Sequence, residues 1–384
     1  MTIKDQPRPV IRIGMLRLSD AAPIVIAKEN GFFVDHGLDV RISIEPSWAN
    51  IADKLSYRQL DAAVTLPPLV FAVTLGLRGV GIPLIVPMQL SLYGLAVGVA
   101  KSVADELGMD GTALAIGRRL ANFLPPRRPR PRFAIAHAFS THNLYLRRYL
   151  SAAGIDPDRD VELMVVPPAD TVQAMQDGDI DGYCLGPPWA DVATRLGIGR
   201  TIALSSEIWR NHPEKCLAVR RDWAEANPDA LDSMLAATLH AALFCDNPAN
   251  ADGIAAILAQ DNYLAVDRAA IRASLPGDDA GHSVFFAGAA NFPFASHAAW
   301  FLDGMAKWGY LGQDVDRAAL AASVYRPDLF RAAAIKIGLP VPVADSKVEG
   351  AHDAPWVLDA DPTGIAMGAD LFCDGQPFDP AMAE

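Results

Sequence analysis

The chain is short of cysteine, of positive charge and of unbroken apolar sequence. Its four cysteines, Cys184, Cys216, Cys245 and Cys373, are scattered through 384 residues without CxxC spacing. That excludes a disulfide scaffold or a zinc-ribbon site and leaves reduced interior thiols; no metal or cofactor is expected. Lys and Arg number 33 against 45 Asp and Glu, for a net charge of −12. Direct binding to nucleic acid is excluded with it, because that affinity comes largely from basic side chains neutralising phosphates. The apolar stretch VGIPLIVPMQLSLYGLAVGVA, residues 80–100, is broken by Pro83, Pro87 and Gly94. It predicts buried strands and no membrane span. The opening MTIKDQPRPVIRIGML has no basic segment, apolar core and small-residue cleavage site of a secretory signal, so a cytoplasmic location is expected.

What is present is enough apolar residue, 51% of the chain, for two domains with separate cores. Two stretches show how they are organised. LDAAVTLPPLV (60–70) and IDGYCLGPPWA (180–190) stand 120 residues apart, with Asp61 and Asp181 opening short apolar strands and a double proline closing each. Proline after a strand stops its pairing and suits the first turn of a helix.

The repeat extends backwards. Strand 10–16, helix 21–35, strand 38–44, helix 49–57 and the Asp61 strand correspond to strand 132–137, helix 142–153, strand 161–166, helix 169–176 and the Asp181 strand. Each half reads β-α-β-α-β-α, with helices stopping near Gly37, Gly76, Gly154 and Gly197; that alternation predicts a parallel sheet covered by helices on both faces. The fold expected is a two-lobed α/β protein with a ligand cleft. Residues 1–95 begin lobe I, 96–205 make lobe II, and 206–384 return to lobe I with a C-terminal extension. Crossovers near 93–100 and 200–218 serve as hinge. Between the halves, RRPRPRF (127–133) reads as an extended solvated linker rather than an anion patch.

Ligands in such sheets sit beyond the carboxyl ends of the strands. That rule nominates Arg17 to Asp20, Ser47-Trp48 and Leu66-Pro67 from one lobe, and Ser140 to Asn143, Pro167-Pro168 and Gly186-Pro187 from the other. Ser140 or Thr141 can cap the helix that follows, and its free N–H groups favour an anion. His142 adds a donor that can carry charge near neutral pH if a bound anion favours it; otherwise it merely starts a helix. Lys215, just before an apolar strand at the hinge, either aims its ammonium into the cleft or lies on the surface. Trp48 supplies an apolar wall with an indole donor or fills core, and Gly186 permits close approach of backbone to ligand. Together these residues describe a pocket for a small monovalent anion.

The stretches SDAAPIVIAKENGFFVDHGLDV (19–40), SWANIADKL (47–55), THNLYLRRYLSAAGIDPDRDV (141–161), VVPPADTVQAMQDGDIDGYCLGPPW (165–189), SEIWRNHPEKCLAVR (206–220) and FPFASHAAWFLDGMAKWGY (292–310) resemble the nitrate- and bicarbonate-binding proteins of ABC importers. That group is a branch of the type II periplasmic-binding-protein fold. The resemblance implies that Trp48, His142, Gly186 and Lys215, with Thr141 and Pro187 beside them, hold the anion. Two positions depart from the importer pattern: Leu95 stands where those proteins carry Gln, and Pro187 where they carry Glu. Loss of that carboxylate disfavours bicarbonate against nitrate or nitrite.

Without a leader, the chain is similar to the cytoplasmic NasS-type nitrate/nitrite sensors, which hold an RNA-binding antitermination regulator inactive until the anion binds. That regulator is the expected partner, with the solute-binding component of an importer as the alternative. An enzyme is not expected, since Ser140 near His142 has no carboxylate to orient the base and the pocket has no paired acids.

Overall fold

A computed structural model describes residues 10–124, 129–277 and 281–382. Residues 127 and 128 of the expected linker lie outside them. Two five-stranded sheets organise the chain. In the first half, β1 (Val10–Met15), α1 (Ala22–Glu29), α2 (Phe32–Asp35), β2 (Asp39–Ile44), α3 (Trp48–Ser56), β3 (Ala62–Thr65), α4 (Pro67–Thr74) and β4 (Leu84–Gln89) follow in order. The chain then crosses over through β5 (Ala96–Ala100), α5 (Lys101–Leu107) and α6 (Ala113–Phe123). The second half runs β6 (Arg132–Ile135), α7 (Thr141–Ala152), β7 (Glu162–Val165), α8 (Pro168–Gln176), β8 (Gly182–Leu185), α9 (Trp189–Arg195) and β9 (Gly199–Leu204), and β10 (Cys216–Arg220) returns.

The sheets share one plan. Strand order is β2-β1-β3-β10-β4 in the first and β7-β6-β8-β5-β9 in the second. The parallel pairing predicted from the alternation is present among β1, β2 and β3 and among β6, β7 and β8, which makes both sheets parallel-rich as expected. The fourth position differs, since β10 and β5 run antiparallel to both neighbours. These two are the crossover strands. Each arrives from the other half of the molecule without a βαβ connection, so nothing forces it parallel.

The repeat also fixes the strand ends. Asp61 accepts from the backbone of Arg12 at 3.0 Å and from its guanidinium at 2.8 Å. Asp181 accepts from the backbone of Arg132 at 2.8 Å, with that guanidinium 3.6 Å away. The Arg partners, themselves 120 residues apart, clamp β1 to β3 and β6 to β8.

The helix expected over 21–35 is divided. A 3-10 turn, Ser19–Ala21, precedes α1, and Gly31 at φ +81° separates α1 from α2. That left-handed conformation costs glycine nothing and ends the first helix. Beyond β10, the 19-residue helix Pro228–Asp246 packs on α1 and α2, while helix Ala295–Lys307 lies against both α4 and α7 and so touches both halves. One apolar cluster accordingly runs from Leu18 and Trp48 through Leu95 to Leu144, Tyr145 and Trp300. Among the described residues, no helix is long and apolar enough to cross a membrane.

Candidate functional site

The two sheets face each other at the carboxyl ends of their strands, and the facing loops touch. The Ser19 amide donates to the Pro187 carbonyl at 3.0 Å, and the Trp189 indole donates to the Arg17 carbonyl at 2.9 Å. A cleft of about 370 Å³ remains at the edge of this seam. It is lined by Leu16, Arg17, Ile44, Glu45 and Pro46 on one side and Pro168, Ala169 and Asp170 on the other.

Behind the seam, the six residues nominated by sequence form one connected cluster. Ser140 is the cap of α7: its hydroxyl accepts from the Asn143 amide at 3.0 Å, which leaves Thr141 as the first helical residue. Thr141 turns its hydroxyl to Glu214 instead. His142 Nδ1 lies 3.4 Å from Thr141 Oγ1 and 3.9 Å from Glu214 Oε1. Its Nε2 faces Gly186, where an added Cβ would lie 3.3 Å from that nitrogen and 3.2 Å from Leu18 Cδ2. Lys215 Nζ sits 5.5 Å from the Trp48 ring centroid. Pro187 closes the cluster through its bond from Ser19 and packs its ring against Gly94. Leu95 borders Gly186, its Cδ2 3.7 Å from the same Cβ position, so an apolar side chain does stand at the crossover.

Lys215 is neither a surface residue nor free. It is fully buried, with its ammonium 2.8 Å from Asp20 Oδ2 and paired also with Glu214. Here the structure corrects the expectation of a site without paired acids: Asp20 and Glu214 place two carboxylates around one ammonium. Asp20 belonged to the nominated loop set but carried no assigned role. Glu214 escaped notice although it precedes Lys215 directly in HPEK, because side chains of neighbouring residues in extended chain are expected on opposite faces. The hinge segment is not a regular strand there. Leu90 donates to the Lys215 carbonyl and Glu214 to that of Ser91, and β10 begins only at Cys216.

The electrostatics follow from complete burial. Desolvation pushes the Asp20 and Glu214 carboxyls up, against the opposing pull of Lys215. The same burial works against the Lys215 ammonium, but Asp20 and Glu214 outweigh it and hold its pKa above the usual lysine value. His142 is pushed well below the ordinary histidine value, by burial first and by Lys215 second. That shift favours the neutral ring in the anion-free protein; the charged form considered from sequence depends on a bound anion. Two ring nitrogens are buried without a hydrogen-bond partner: Trp48 Nε1, a donor, and His142 Nε2, whose role as donor or acceptor depends on the ring's tautomer. Leaving such an atom unpaired costs about 1–3 kcal/mol, so each marks a place where an added partner would be favourable.

Comparison with known proteins places the chain in a family. A family model described as the NMT1-like family matches residues 4–259. The chain is 33% identical over 392 residues to the nitrate/nitrite-binding protein NrtA of Synechococcus elongatus, covering 96% of this chain and 83% of that one. To the bicarbonate-binding protein CmpA of the same organism it is 31% identical, covering 96% and 84%. Among solved structures, the periplasmic nitrate-binding protein NrtA of Synechocystis aligns with a TM-score of 0.84 at 27% identity, over 97% of this chain and 96% of that one. The alkanesulfonate-binding protein SsuA of Xanthomonas axonopodis aligns at 0.60 with 16% identity, over 83% and 99%, a likeness of fold.

Proposed function

From a chain that belongs to the NMT1-like family and is homologous to the nitrate-binding proteins of ABC importers, we propose that it is a binding protein for nitrate, and for nitrite, serving an ABC importer. The observation that carries this reading is the two partnerless ring nitrogens, Trp48 Nε1 and His142 Nε2, in the cluster that also holds the Lys215 ammonium and Gly186. A planar monovalent anion offers acceptors in several directions and needs little room. The six residues Trp48, Thr141, His142, Gly186, Pro187 and Lys215 form its site, Thr141 acting through its neighbours and Pro187 through the seam.

Binding, not turnover, fits the cluster. Both carboxylates are committed to Lys215, and neither is arranged to activate a water or a nucleophile. The division of lobes is residues 1–95 with 206–384 against 96–205, and closure over the anion presents a changed surface to a permease.

The relatives described above are named for binding anions, one of them as a periplasmic protein, and none is named for sensing. The importer role therefore ranks ahead of a cytoplasmic sensor controlling an RNA-binding antitermination regulator. Titration calorimetry of the purified protein with nitrate, nitrite and bicarbonate tests the anion assignment. Saturable one-to-one binding of nitrate supports it, and binding of bicarbonate alone overturns it.

A further inference from the structure

We infer that Glu214 and Thr141 are positioning residues that set the tautomer of His142, so that one proton enters the cluster with each anion. The inference rests on the anion reading above and deepens it. Thr141 has a single hydroxyl hydrogen to place between two neighbours, Glu214 on one side and His142 Nδ1, 3.4 Å away, on the other.

When Glu214 is ionised, it takes that hydrogen. Thr141 Oγ1 can then only accept, and the proton of the neutral ring sits on Nδ1. Nε2, buried and unpartnered beside Gly186, presents a lone pair to the site and repels an anion. When Glu214 carries a proton on Oε1, the order reverses. The carboxyl donates to Thr141 Oγ1, the hydroxyl donates to His142 Nδ1, and the ring proton resides on Nε2, aimed at the anion. One proton is gained in total, at Glu214; the imidazole keeps one proton throughout.

Charge counting points the same way. The groups facing Glu214 are Lys215 and Asp20, with His142, Tyr145, Cys184 and Cys216 around them. Burial keeps Tyr145 and both thiols protonated and His142 neutral. The charges are thus one ammonium against two carboxylates. An anion added to that set would meet an excess negative charge in a fully buried site, whereas neutralising Glu214 leaves Lys215 balanced by Asp20 alone. Burial already raises the Glu214 carboxyl toward protonation, and an adjacent anion raises it further.

Calorimetry with sodium nitrate in two buffers of different ionisation enthalpy, repeated across pH, is the test. Wild-type protein should take up close to one proton per nitrate, and its affinity should fall about tenfold per pH unit once free Glu214 ionises. Glu214→Gln, whose amide donates to Thr141 permanently, should bind nitrate with no proton uptake and a flat pH profile. Asp20→Asn should keep the uptake. If Glu214→Gln does not fold, Thr141→Val interrupts the relay and should weaken binding while abolishing the one-proton uptake. Nitrate binding by wild-type protein without proton uptake overturns the relay and leaves the anion reading standing, as does uptake that persists in Glu214→Gln or vanishes in Asp20→Asn. Absence of nitrate binding by the wild-type protein overturns both.

Discussion

Lys215 reaches Asp20 at 2.8 Å across the end of β3, the ammonium on the returning hinge segment before β10 and the carboxylate on the turn after β1. Both are fully buried, so each is tolerated only because of the other. Lys215→Met should destabilise the fold by about 3–5 kcal/mol at neutral pH, because it strands Asp20 and Glu214 without counter-charge. Both carboxyls would then stand further above their unfolded values, and a native state that binds more protons than the unfolded one loses stability as pH rises. Denaturant titrations from pH 5 to pH 8 should show a variant that weakens steadily relative to wild type. A constant difference across that range would mean that the two acids are already protonated beside the lysine.

Trp48→Phe separates ligand binding from packing. The indole nitrogen has no protein partner, so its loss removes no hydrogen bond from the free protein while the ring largely fills the same space. Nitrate affinity should drop by about 0.5–1.5 kcal/mol, up to about tenfold, with a melting temperature close to that of wild type in the absence of anion.

A methyl group at Gly186 reports on the size of the site. Its Cβ would lie 3.3 Å from His142 Nε2 and 3.2 Å from Leu18, in space that the anion needs. Gly186→Ala should abolish nitrate binding by calorimetry. Its backbone is not in the left-handed region, so the variant should remain folded by circular dichroism.

His212 offers a pH test independent of the ligand. Its ring packs 4.5 Å from that of Tyr145 and 5.4 Å from that of Tyr93, and burial pushes its pKa down to about 3. The unfolded chain therefore takes up a proton that the folded protein refuses. The associated stability is complete above the ordinary histidine value of about 6.5 and is lost as pH falls toward 3. In His212→Gln, the slope of stability against pH between 4 and 6 should be smaller than in wild type by up to about 1.4 kcal/mol per unit. Urea titrations at pH 4, 5 and 6 measure it.

Much of this was legible in the sequence because it depends on local chemistry. The spacing of Asp61 and Asp181 announced the duplication, and Ser140 and Thr141 ahead of an apolar periodicity announced the start of α7 to within one residue. The loop set containing Trp48, His142 and Gly186 followed from the order of elements alone. Three features were not legible, and each depends on a long-range approach. The antiparallel sense of β5 and β10 arises from crossing between halves, which periodicity does not record. The Glu214 side chain reaches α7 because the chain before β10 pairs irregularly with residues 90–92, not because of any pattern around it. The depressed pKa of His142 comes first from its burial and second from the Lys215 ammonium, 73 residues away in sequence, and the residues around it record neither.

The exchange of fourth strands bears on the order in which the molecule can be completed during synthesis. Strands β5 to β9 of the second sheet are contiguous in the chain, so that sheet has every strand once residue 204 has emerged. The first sheet is begun earlier but cannot be finished then. Strand β10 lies between β3 and β4, and until it arrives those two have no shared partner and leave their facing edges bare. Exposed edges of this kind invite pairing with other chains. The half that the ribosome makes first is therefore the half that closes last, and a nascent chain halted between residues 100 and 215 carries an open slot in its sheet that only the missing strand fits.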